Sequence, residues 1–117
     1  MKNYCKTSVA EEARAELHNA LNLTGAEISI NELPAGASVP FVHSHKQNEE
    51  IYAILDGNGT ATIDNEKIAL NTGDWMRISP AAKRQFSAAA DEPIKYICIQ
   101  VKENSLQAYT ADDAVIG

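Results

Sequence analysis

His43-Ser44-His45-Lys46-Gln47-Asn48-Glu49-Glu50-Ile51-Tyr52-Ala53-Ile54-Leu55-Asp56-Gly57-Asn58-Gly59 is the stretch on which the reading of this chain turns. Val39–His45 and Glu50–Leu55 read as two strands around a short polar loop, and Asp56-Gly57-Asn58-Gly59 is a strong turn signal. Working outward, Ala26–Leu33 is an earlier strand, with Ile28 and Ile30 alternating against Glu27, Ser29 and Asn31. Pro34-Ala35-Gly36 turns the chain into the quoted stretch. Downstream, Thr60–Ile63 and Lys67–Leu70 flank Asp64-Asn65-Glu66 as a hairpin, and Asn71-Thr72-Gly73-Asp74 turns again. Trp75–Ile78 and Arg84–Ala89 lie around Ser79-Pro80, and Asp91-Glu92-Pro93 leads into the most apolar strand, Ile94–Val101. Short strands separated by turn signals every ~8–12 residues predict an all-β sandwich or barrel.

Before Gly25 two readings compete. Ser8 and Glu11 fit a capping box, and Val9, Ala13, Leu17 and Leu21 recur at helical spacing. The alternative is a short helix followed by a strand at Arg14–His18. His18 reads as a surface or packing residue. Leu106, Tyr109, Val115 and Ile116 in the tail are expected to dock on the barrel or on a second copy of the chain.

The 117 residues fit one domain, with 44% hydrophobic and 22% charged residues, ordinary for a globular protein. A net charge of −6 argues against a nucleic-acid or anionic-membrane partner. No apolar run approaches the ~20 residues of a membrane span. The start shows no secretory signal pattern, so a cytoplasmic location is expected. Cys5 and Cys98 lack a second cysteine at metal-binding spacing, and Cys98, in Tyr-Ile-Cys-Ile-Gln-Val, reads as a small buried hydrophobe.

Side chains alternate across a strand, so His43 and His45 share a face with Val39 and Phe41. Phe41 beside two histidines points to an interior pocket. With Lys46–Glu49 as a hairpin loop, His45 lies opposite Glu50, His43 opposite Tyr52 and Phe41 opposite Ile54. Two imidazoles and a carboxylate then converge, the donor set of a divalent transition metal with open positions. Glu49 is the rival acid and reads as a loop residue near solvent. Gln47 is placed to reach a pocket mouth, and Tyr52 to donate a hydrogen bond or serve as a catalytic acid.

These residues resemble the first motif of the small single-domain cupins: a glycine (Gly36), His-x-His (His43 and His45), a glutamate after four intervening residues (Glu50) and a glycine after six more (Gly57). The second motif is matched at Gly73. Ser79 then stands in the proline position with Pro80 following, Ala81 replaces a glycine, Arg84 a histidine and Ala88 an asparagine. The resemblance covers about residues 25–101 of one domain spanning the chain. It implies a jelly-roll barrel of roughly six to eight strands with the site inside. It also implies a homodimer, and a divalent metal (iron, manganese, nickel or zinc) on His43, His45 and Glu50.

Arg84 has no lone pair for a metal, yet alternation with Gln85 and Ser87 turns it inward alongside Phe86 and Ala88. A guanidinium ~6 Å from the ion would cost roughly 3 kcal/mol at an effective dielectric of about 20. Arg84 is therefore expected to grip an anionic ligand group, or to close the site by pairing with Glu50. The functions left open are a metal-dependent enzyme acting on a small anion, such as a dioxygenase or isomerase, and a non-catalytic cupin that binds a small ligand at a degenerate metal site.

Overall fold

The computed structural model describes residues 3–109 and 111–117. Seven strands form two antiparallel sheets. β1 (Arg14–Glu16), β2 (Glu27–Leu33), β7 (Ile94–Lys102), the first half of β3 (Asn48–Ile63) and β5 (Trp75–Ile78) lie side by side in the first. β4 (Glu66–Asn71), the second half of β3 and β6 (Arg84–Ala88) make the second. The all-β class expected from the turn spacing is the one observed, and it takes the jelly-roll form that the resemblance implies.

The alternation predicted for the last strands holds. Arg84, Phe86 and Ala88 are buried on β6, and Ile94, Tyr96 and Cys98 on β7. They pack with Tyr52, Ile54, Ala61, Leu70 and Ile78 into one core. Phe86 stacks between Tyr52 and Tyr96, with ring centroids 4.2 and 5.2 Å away. Such pairs add about 0.5–1.5 kcal/mol each beyond the area they bury. The Asp64-Asn65 hairpin is also as expected, both residues taking the positive φ that a two-residue turn of this hand requires.

Three expectations fail and a fourth is narrowed. Asp56–Gly59 is not a turn, because β3 runs through it as one strand of 16 residues. Leu55 is an extra residue between the pairs Ile54–Tyr96 and Asp56–Lys95, and this bulge carries the strand from one sheet to the other. Val39–His45 is not a regular strand. Pro40 lacks an amide proton, and the segment touches β6 only at intervals, Val39 N donating to Phe86 O and His43 exchanging backbone bonds with Arg84. The Ser8 capping box does not form. The segment around it has no helix, the strand at Arg14–Glu16 comes first, and the one short helix, α1 (His18–Leu21), follows it. The strand wins because Arg14, Ala15 and Glu16 find partners along β2. Of the two surfaces expected for the tail, the chain's own barrel is not the one: Leu106, Tyr109, Val115 and Ile116 are 74–96% exposed. No helix among the described residues is long and apolar enough to cross a membrane.

Candidate metal and ligand site

Glu50 sits on β3 with its side chain in the barrel interior, almost fully buried. It pairs across the sheet with Ile78 and Gln100, not with His45 as the hairpin reading had it. His43 and His45 arrive instead from the irregular segment beside β6. The His43–Arg84 backbone pair anchors one, and the bond from His45 N to Pro80 O, at 2.8 Å, anchors the other. The two rings still lie side by side, with centroids 5.1 Å apart, because these two anchors bring both to the same place. His45 Nε2 lies 3.1 Å from Glu50 Oε2, and His43 Nε2 lies 3.9 Å from Glu50 Oε1. One donor atom from each of the three residues falls within 4.8 Å of the others. His43 Nδ1 and His45 Nε2 are buried with no hydrogen-bond partner. Burial pushes the His43 pKa down, and the nearby charges of His45 and Arg84 add to this against the pull of Glu50.

Arg84 faces inward as expected and is fully buried. Its Nη1 donates to Glu50 Oε1 at 2.7 Å, its Nε to Ala82 O at 3.1 Å, and its Nη2 to the carbonyls of Ser79, Pro80 and Ala82. Of the two partners expected for it, the structure shows Glu50. The guanidinium does not line the cavity described below. Tyr52 is buried, and its hydroxyl donates to Glu50 Oε1 at 2.7 Å. Burial and the neighbouring Cys98 and Glu50 drive its pKa far up, so the hydroxyl keeps its proton and acts as a donor. Cys98 is buried as expected, its thiol 3.3 Å from Glu50 Oε2, and burial with the Glu50 charge pushes it up to about 12. Burial likewise works to raise Glu50, but the bonds from Tyr52 and Arg84, with His45 and Cys98, outweigh it and hold the carboxyl below its ordinary value.

A cavity of about 460 Å³ opens over these groups. His43, His45 and Glu50 line it together, and Phe86, Tyr96 and Leu33 form apolar wall. Phe41 lines the cavity but is more than half exposed, a mouth residue and not an interior one. Gln47 is exposed and does not line it; its carbonyl accepts Glu103 N. Glu49 is a residue of β3, paired with Val101, and not a loop residue as expected, but it does point outward, where its Oε1 accepts Arg77 Nε at 2.6 Å. Sequence reasoning missed the polar wall of Arg14, Ser29, Asn31, Gln85 and Gln100. The strand alternation of Ser29 and Asn31 was the available signal, but it does not say which face is inside.

The sequence profile described as a cupin domain matches residues 29–100. A crystal structure of a cupin protein from Bacteroides fragilis superposes with a TM-score of 0.98 at 67% identity, over 100% of this chain and 99% of that one. An uncharacterized protein of Methanocaldococcus jannaschii is 36% identical over 76 residues, 63% of this chain, and the match spans 60% of that relative's length. A predicted oxalate decarboxylase from Thermotoga maritima shares the fold at 21% identity, with a TM-score of 0.60 over 64% of each chain.

Proposed function

The chain belongs to the cupin family, and we propose that it is a small-molecule cupin whose His43, His45 and Glu50 hold a divalent transition metal beside a bound small anion. The observation that carries this is the convergence of three donors in the wall of a cavity of about 460 Å³. The residues fit the ion. Two buried ring nitrogens have no partner, and the lowered His43 pKa favours the neutral imidazole that has a lone pair to give. Donors about 2.1 Å from a common ion lie roughly 3 Å apart when at right angles, near the His45–Glu50 separation of 3.1 Å. Iron, manganese, nickel and zinc all suit this donor set, and such an ion supplies Lewis acidity and open positions to a ligand. Tyr52 and Arg84 hold Glu50 Oε1, which leaves Oε2 turned toward His45. The aromatic wall excludes water from the ligand's body.

The test is metal per chain by plasma mass spectrometry on untagged protein after loading and desalting. Wild type should retain close to one ion. His45→Ala and Glu50→Gln should bind at least about tenfold more weakly, since even outer partners of metal ligands are worth roughly 10–100-fold. Equal, near-zero occupancy in all three proteins would overturn the assignment. Binding without turnover is the second reading, and Arg84 favours it, because a cation stands where relatives of this family place a fourth ligand. Oxygen uptake or isomer formation across a panel of small carboxylates and phosphates, with loaded protein, separates the two.

A homodimer belongs to the same reading. Exposed Leu106, Tyr109, Val115 and Ile116 make an apolar tail that a monomer leaves in water, and a second copy is the surface that would cover it. Light scattering at micromolar concentration should give twice the chain mass of 12.7 kDa. A single-chain mass would count against it.

A further inference from the structure

The cavity also holds a cation that its histidine end does not use. Arg14, on the edge strand β1, stands directly opposite Asn31 of β2 and lines the cavity with Asn31 and Ser29. Asn31 and Ser29 are buried, and Asn31 Nδ2 donates to Ser29 Oγ at 3.0 Å. That bond orients the amide, so that its Oδ1 accepts Arg14 Nη1 at 2.6 Å. Arg14, half exposed, is thus held against the cavity by a buried polar pair. Its Nε donates to Glu16 Oε1 at 3.2 Å, and its Nη2 makes no hydrogen bond with any described residue. Arg84 is sealed behind Glu50, so Arg14 is the one Lys or Arg side chain lining the cavity among the described residues.

We propose that Arg14 is the anion-recognising residue of this cavity, and that it takes the carboxylate of a small molecule whose apolar body packs on Tyr96 and Phe86 and whose far end lies at His43, His45 and Glu50. This rests on the small-molecule reading above and names its ligand class. A planar guanidinium with an open edge matches a carboxylate in a bidentate pair. The bond to Glu16 does not block it, because an exposed ion pair is worth little and yields to a better partner. Among the described residues the cavity wall offers no second Lys or Arg side chain to compete with Arg14 for the carboxylate. The charge already reaches the interior: burial raises the Tyr96 hydroxyl to about 12, and Arg14 draws it back.

The experiment titrates zinc-loaded protein calorimetrically with 3,4-dihydroxybenzoate and with catechol, which lacks the carboxylate. Wild type should prefer the acid by about tenfold or more, the worth of one charge-assisted pair. Arg14→Gln should abolish the preference while leaving catechol affinity and zinc content unchanged, and Arg14→Lys should keep part of it. A preference that survives in Arg14→Gln overturns the assignment, as does wild type that shows none or binds neither probe. Benzoate titrated into chelator-treated protein separates the two readings. Binding of benzoate that depends on Arg14 in a chain that takes up no zinc would defeat the metal assignment alone. Zinc uptake with no role for Arg14 toward either acid would defeat this one alone.

Discussion

Arg84→Met should lower the unfolding free energy by about 3–5 kcal/mol, the usual cost of removing one member of a buried ion pair. Both side chains are shielded from water, 0% and 3% exposed, so no solvent takes over the role of the lost guanidinium. Three carbonyls, of Ser79, Pro80 and Ala82, lose their donor as well. Glu50 should then respond to its burial. In wild type its carboxyl is held below 4.5, so its stabilisation is present above that value and is lost as pH falls through the depressed one. Without Arg84 the carboxyl moves up, and a raised folded value means that stability increases as pH falls through it. The deficit of the variant should therefore shrink between pH 7 and pH 5. Glu50→Gln combined with Arg84→Met removes the stranded charge and should recover the part of the loss due to it, leaving the part due to the three carbonyls. Urea midpoints at the two pH values read all of this. A single variant within about 1 kcal/mol of wild type, or a double variant no better than the single, would show that the pair does not support the fold.

The convergence of His43, His45 and Glu50 was legible in the sequence although the pairing used to derive it was wrong. The outcome survived where register did not: backbone bonds to Arg84 and Pro80 bring His43 and His45 to one place, and Glu50 faces the interior on a strand that pairs with β5 and β7. Strands β6 and β7 were legible because their apolar and polar residues alternate cleanly. The crossing of β3 was not. Asp-Gly-Asn-Gly has the composition of a turn, and only the backbone of Pro93 and Ser87, distant in sequence, makes those glycines necessary inside a strand. The inward face of β2 was hidden for a different reason. Ser29 and Asn31 are buried and Ile28 and Ile30 less so, because the interior here is a cavity with a polar wall. Composition marks two faces of a strand, and the usual rule of apolar inside then selects the wrong one. Arg14 was overlooked with them, since its role depends on standing opposite Asn31.

Gly57→Ala should be the most damaging change of a single atom group in the chain. Gly57 has φ +82, where a Cβ costs about 1–2 kcal/mol. A Cβ there would also overlap the carbonyl oxygen of Pro93 and crowd the Cα of Ile94, and both obstacles are backbone. Neither can swing aside, so β3 and the start of β7 would have to separate at the pair Gly57–Ile94, beside the Leu55 bulge. Ile94 is among the most buried side chains of the core, and this crossing fixes how the Glu50 half of β3 meets the Arg84-bearing second sheet. The expected loss is about 4 kcal/mol or more, in the range reserved for strain combined with overpacking. Gly73→Ala is the control. Its φ of +95 carries a similar conformational cost, but a Cβ there meets open space, so the loss should stay near 1–2 kcal/mol. Denaturation midpoints of the two variants isolate the steric part. If they fall together, close approach of the strands at Gly57 contributes nothing beyond backbone conformation. If Gly57→Ala falls much further and its metal content drops with it, the bulge holds both the barrel and the site in register.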